Sequence, residues 1–194
     1  MRTSAVLALW VACFGAPAPA RADVSSWLAI GGGASLQRNR VAASNDSAGT
    51  VTYSLGVGSS PAHPFILGGL FRGTTMVGLG TDVGLAARAA TGGFARGDWG
   101  LALDVGAAFR TWGDGGYGDW PLQAVLTGGC PWGFQLAVGT EFWNLESGKG
   151  TEGMFVALEL DLLRLTVMRQ GSSLPWWPNP SPAGGAEPEG ARER

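Results

Sequence analysis

The stretch Met76–Arg88, M-V-G-L-G-T-D-V-G-L-A-A-R, decides how this chain is read. Val77, Leu79, Val83, Leu85 and Ala87 share one parity, interrupted only by Thr81. Met76, Gly78, Gly80, Asp82, Gly84, Ala86 and Arg88 share the other. A period of two belongs to a β-strand, whose side chains alternate between faces. One face here is large and apolar; the other is small and carries two opposite charges. A soluble antiparallel strand normally sets an apolar core face against a solvated face of Lys, Glu or Thr. Gly and Ala make a poor solvated surface. The pattern fits a strand turned inside out, with its aliphatics toward lipid and its Gly, Ala, Asp and Arg toward a narrow interior. A closed barrel satisfies every backbone N–H and C=O between strands and so can span a bilayer. Its segments alternate apolar-out and polar-in over roughly ten residues. A soluble sandwich or barrel with Gly-rich strands is the competing reading.

Composition excludes other classes. Gly makes up 33 of the 194 residues, hydrophobic residues 45% and charged residues only 14%, which is too apolar for a disordered chain. No long, clean apolar run beyond the N-terminus suggests a transmembrane helix. The N-terminus itself has Arg2, the apolar stretch Ala5–Phe14 and then Ala20-Arg21-Ala22 before Asp23. That order of charge, apolar run and A-x-A site reads as a signal peptide over residues 1–22, with Ala20 as the competing cleavage point. Trp10-Val11-Ala12-Cys13 is a faint lipoprotein-type alternative. Cleavage after Ala22 removes Arg2 and Arg21, taking Lys plus Arg from 13 to 11 against 15 acids and the net charge from −2 to −4. No basic patch points to nucleic acid. Cys130 would be left as the lone cysteine, and a single histidine leaves too few ligands for a zinc-type site.

Taken in order, the chain divides into eight strand-like segments. The first is Val24–Arg38, followed by a polar loop at Asn39–Gly49. The second is Thr50–Ser59, closed by the turn Ser60-Pro61-Ala62-His63-Pro64. The third is Phe65–Gly73, and Gly73-Thr74-Thr75 connects it to Met76–Arg88. A turn over Ala90–Asp98 leads to Trp99–Trp112, where Asp104 and Arg110 sit on the small face. The loop 113–119 precedes Trp120–Gly128, and Cys130–Gly133 turns into Phe134–Asn144, with Glu141 and Trp143 inward. Leu145–Gly153 is loop-like. The eighth strand is Met154–Met168, with Glu159 and Asp161 inward and a slip of parity at Leu162-Leu163. A β-bulge there would restore the facing and turn Arg164 inward. Residues 23–170 therefore form one all-β domain. Residues 171–194, rich in Pro, Gly and Glu, read as a disordered periplasmic tail, with Trp176-Trp177 placed to rest at a membrane interface.

The signal peptide, strand count, dyad alternation and aromatic positions over Val24–Met168 resemble the small eight-stranded outer-membrane barrels of the OmpA and OmpX type. The resemblance implies an eight-stranded antiparallel up-and-down transmembrane β-barrel, inserted by barrel-insertion machinery into outer-membrane lipid; the even strand count puts both mature termini on one side, and export makes that side periplasmic. The chain departs from that family in continuing beyond Met168 instead of closing on a terminal aromatic residue.

Asp82, Arg88, Asp104, Arg110, Glu141, Glu159, Asp161 and Arg164 are the expected lumen charges. Charges in a narrow interior are costly unless paired, so Asp104, Glu141, Glu159 and Asp161 are expected to pair with Arg88, Arg110 and Arg164. Trp99, Trp120 and Phe142 are the expected interface aromatics. Catalytic signals are weak. Glu159 and Asp161 share a face without a cleft, and His63 is the one candidate base near Ser59 and Ser60. Asp114 and Asp119 give too few oxygens for calcium, and Gly148-Lys149-Gly150-Thr151 lacks the setting of a phosphate loop. The expected role is non-enzymatic, without a cofactor or metal: envelope structure or contact with an unidentified extracellular ligand through the loops. A narrow channel for water or small solutes and a soluble periplasmic lipid-binding barrel are the alternatives.

Overall fold

The computed structural model describes residues 24–39, 43–112, 119–145 and 153–163. These form, in order, β1 (Ser25–Asn39), β2 (Ser44–Gly58), β3 (Phe65–Met76), β4 (Gly80–Thr91), the short helix α1 (Gly92–Arg96), β5 (Gly100–Arg110), β6 (Pro121–Gly129), β7 (Phe134–Asn144) and β8 (Gly153–Asp161). Each strand pairs antiparallel with the next, and β8 pairs back onto β1, so the sheet is a closed up-and-down barrel. The proximal rim carries the start of β1, the end of β8 and the β2–β3, β4–β5 and β6–β7 connections. The distal rim carries the other four connections.

Closure depends on small residues at the seam. β1 and β8 pair from Ala29↔Asp161 to Gln37↔Gly153. A Cβ built on Gly33 would stand 1.8 Å from the Val156 carbonyl oxygen, so only glycine lets the two backbones approach there. On β7, Gly139 leaves the space that the Phe155 ring occupies.

The two faces are sorted as in an inverted globule. Asp82 and Asp104 are each 1% exposed, whereas Leu101 and Leu158 are 55% and 56% exposed. Along β7 and β8 the exposure alternates residue by residue until the strand ends. Soluble monomers rarely present more than a few hundred Å² of continuous apolar surface. Here Leu, Val, Phe and Trp face outward on strand after strand.

Several boundaries differ from those the sequence suggests. The Asn39–Gly49 segment is not wholly a loop: β1 runs to Asn39 and β2 starts at Ser44, because Ser44–Gly49 finds a ladder against Ala34–Asn39 despite its polar composition. The connection expected at 73–75 lies instead at 77–79. Thr74 and Thr75 continue β3, and Gly78, at φ 86°, supplies the left-handed residue of the turn. Val77 and Leu79 thus belong to a hairpin tip. Strand five is shorter than Trp99–Trp112, spanning Gly100–Arg110. The 90–98 turn contains α1. Its start is capped by Thr91, whose Oγ1 accepts the Phe94 N–H, and its end by Gly97 at φ 88°. Trp143 faces outward, because the β6–β7 register shifts between Leu122 and Gln123 and leaves Phe142 as the extra residue. β8 ends at Asp161, and Leu162 and Leu163 are helical where a β-bulge is expected from sequence. The tail, the signal segment, Arg164 and Trp176-Trp177 lie outside the described residues.

The seam gives a paired prediction. Gly33→Val, refolded in detergent micelles, loses the protease-resistant barrel, because its side chain collides with β8 backbone. Gly32→Val keeps it, since a Cβ at Gly32 meets only the Thr50 carbonyl oxygen at 3.7 Å. Equal resistance in both variants would contradict this account of closure.

Candidate functional site

The lumen holds the chemistry. Inward positions on each strand are Gly or Ala in many places, and the space they leave is crossed by long charged side chains. Two layers of ion pairs result.

The deeper layer joins four strands. Arg88 on β4 grips Asp104 on β5 in a bidentate pair, Nε–Oδ1 2.6 Å and Nη2–Oδ2 2.7 Å. Register places these two residues directly opposite each other, so the fork geometry follows from the ladder. Arg72 on β3 reaches across the barrel to Glu159 on β8, Nη1–Oε1 2.9 Å, and also meets Asp104, Nη2–Oδ2 3.3 Å. Two guanidinium groups and two carboxylates leave this layer neutral. All four side chains are buried.

The layer nearer the distal rim centres on Arg110. Its Nε and Nη2 donate to Asp82 at 3.1 and 2.9 Å, and Nη2 also donates to Glu141 Oε1. Gln37 Nε2 donates to the same Glu141 oxygen at 3.1 Å, and Trp112 Nε1 donates to Asp82 at 2.9 Å. The Trp112 ring lies 4.6 Å from the Arg110 guanidinium carbon, a cation–π distance. β1, β4, β5 and β7 are thereby tied together inside the barrel.

The proximal rim is closed by apolar packing. α1 carries Phe94 inward, where it is 1% exposed and clusters with Trp27, Ile66, Ala90, Ala95 and Ala102. The Arg88 guanidinium lies 5.0 Å from the Trp27 ring and 5.4 Å from the Phe94 ring, joining the plug to the deeper ion layer. The Gly92 N–H donates to Pro64 O at 2.7 Å and Arg96 Nη1 donates to Pro61 O at 3.1 Å, which fastens α1 to the β2–β3 turn.

Four of the eight charges named from sequence meet in the expected pairs. Arg88–Asp104 and Arg110–Glu141 pair, and Asp82 joins the second pair. Glu159 finds Arg72 rather than any of the three arginines anticipated. Arg72 escapes a parity reading because β3 carries apolar residues on both parities. Asp161 is buried, and its Oδ1 accepts the Leu163 backbone N–H at 3.1 Å; its expected partner Arg164 is outside the described residues. The Phe94 plug is also missed, although Thr91 and Gly97 frame it with a cap signature. Trp99 stands at the proximal rim, edge-to-face with Trp132 at 5.9 Å. Trp120, packed on Phe109 at 5.0 Å, and the exposed Phe142 stand toward the distal rim. His63 is an exposed turn residue. The Ser59 and Ser60 hydroxyls accept the Leu67 and Ala62 backbone N–H groups instead of pairing with it.

Comparison with protein-family models, with curated proteins and with solved structures gives no match.

The Arg72 brace can be tested by stability. Arg72→Met strands Glu159 in the lumen and costs about 3–5 kcal/mol, the usual penalty for removing one partner of a buried pair. Arg72→Met combined with Glu159→Leu recovers most of it. Urea unfolding in micelles measures both; equal loss in the single and double variants would show that the ion pair is not the cause.

Proposed function

We propose that this chain is an integral outer-membrane barrel of non-enzymatic role, a sealed anchor that carries its distal loops outside the cell for envelope structure or surface contact. The observation that carries the reading is the inversion of the fold, with ionised groups paired at the axis and bulky aliphatics on the outside. In water that arrangement exposes bulky apolar side chains on every strand. In a bilayer it is the stable one, because lipid replaces the missing core.

The dimensions agree. Trp99 and Phe109 lie ten residues apart at the two ends of β5. At ~3.3 Å per residue and a tilt of ~40°, they bracket about 25 Å along the barrel axis, the height of the apolar band in such barrels. Outward aromatic residues at both rims suit the two interfaces, where Trp is enriched. An export signal at residues 1–22 would deliver the chain with the start of β1 and the end of β8 on the periplasmic side.

The Phe94 plug and the two ion layers count against the channel alternative, since both occupy the axis. The outward aliphatics count against a soluble lipid-binding barrel, which needs its apolar face inside.

Two measurements on the mature protein test the proposal. Fractionation should leave it in the outer membrane after washes with high salt and with carbonate, with extraction only by detergent. Release by salt alone would overturn the membrane assignment. Planar bilayers containing the protein should show no unitary conductance; steady openings in the wild type would replace the sealed anchor with the channel.

A further inference from the structure

The outer wall is not uniformly convex. Where β5, β6, β7 and β8 meet α1 at the proximal rim, a groove of about 860 Å³ opens outward, within the roughly 300–1,000 Å³ of small-molecule sites. Its walls include Trp99, Leu101, Gly128, Phe134, Leu136 and Leu158. The dent exists because Gly128 has no side chain at a position where Leu126, two residues earlier on the same face, has one. A Cβ there would meet only Leu101 Cδ2, at 3.7 Å. Arg96 stands at the α1 edge of the groove. One of its five N–H donors is on Pro61 O, and Asp98 lies 3.9 Å from Nε. An exposed pair that long holds the guanidinium weakly, so most of its donors remain available to an anion.

We infer that this groove holds one glycerophospholipid of the leaflet at the proximal rim, an acyl chain against Gly128 and its phosphate on Arg96. The inference rests on the membrane assignment above. The chemistry of the groove matches the two ends of such a molecule: an apolar trough on the hydrocarbon face runs to a guanidinium at the level of Trp99 and Trp132. Aromatic belts mark the headgroup level, and guanidinium forks suit phosphate. A smaller groove of about 590 Å³ at the distal rim also holds an arginine, Arg38, but sets it among Asn45, Thr140 and Glu141 instead of at the end of an apolar trough. A lipid seated here would be retained when the annular lipid is stripped away.

The test uses the full mature chain, extracted from outer membranes in mild detergent and titrated with micelles containing palmitoyl-oleoyl phosphatidylglycerol. Native mass spectrometry reads the adducts. The wild type should keep a single phospholipid at detergent levels that strip the rest. Gly128→Leu fills the trough without backbone conflict and should lower that occupancy at least about tenfold, equivalent to ~1.4 kcal/mol. Arg96→Gln should lower it as well and should weaken the preference for phosphatidylglycerol over a neutral diacylglycerol. Heat-dependent gel migration confirms that both variants are folded. Equal retention in wild type and Gly128→Leu would overturn the inference, as would a wild type that keeps none. If a chain ending at Met168 takes up phospholipid and the full chain does not, residues after 168 occupy the groove, and the lipid assignment falls. A barrel that stays in the membrane yet shows any of these results refutes the groove alone. Release from the membrane by salt refutes the assignment beneath it.

Discussion

Arg72 can cross from β3 to Glu159 on β8 because small residues line much of the lumen. Gly31, Gly33, Gly84, Ala86, Gly106 and Ala108 are inward positions that give up their volume. Long side chains from other strands then fill the axis. The exchange has an electrostatic condition attached: a guanidinium or carboxylate removed from water must meet its opposite within hydrogen-bond range. Both layers meet it. Arg88 and Asp104 face each other by register, and Arg110 bridges Asp82 and Glu141 from adjacent and non-adjacent strands. Paired in this way, the charges act as internal cross-braces, and the outer surface is left mainly to aliphatic and aromatic residues. The inverted distribution is one consequence of the narrow lumen and not a separate design feature.

The plug completes the same logic. At the proximal rim the ion layers give way to Trp27, Ile66 and Phe94, which close the axis by packing. Arg88 belongs to both parts, since its guanidinium pairs with Asp104 while lying against two aromatic rings. A molecule closed in this manner meets its aqueous surroundings at the rims. That is why the proposed role is placed in the distal loops and the lipid site at the proximal edge, where α1 and the Gly128 dent interrupt the smooth wall.

Much of this was legible in the period-two alternation. Asp104, Arg110, Glu141 and Glu159 all alternate with large apolar neighbours, so their inward facing follows from strand geometry. β7 was legible to the residue, Phe134–Asn144. What the pattern could not carry is informative. Met76–Arg88 reads as one unbroken strand, yet a hairpin begins inside it, because Gly78 satisfies both a strand's parity and a turn's left-handed backbone. Ser44–Gly49 has the composition of a loop but gains a ladder from β1, a tertiary effect invisible to local propensity. Trp143 turned outward through a bulge, which shifts parity without any marker residue. Arg72 was hidden by the apolar residues on both parities of β3, and Phe94 by a cap signature only seven residues long. In each case the deciding term was a contact with a distant strand.

The central claim is that the outward residues of β5 lie in hydrocarbon. Single nitroxide labels at positions 101, 103, 105 and 107, placed in a Cys130→Ser background and reconstituted in vesicles, report it through collision rates with oxygen and with a water-soluble nickel chelate. The account predicts that oxygen dominates at every site, with the ratio greatest near positions 103 and 105 and falling toward both aromatic rims. Nickel collisions as frequent as those of an aqueous label along the whole strand would contradict it.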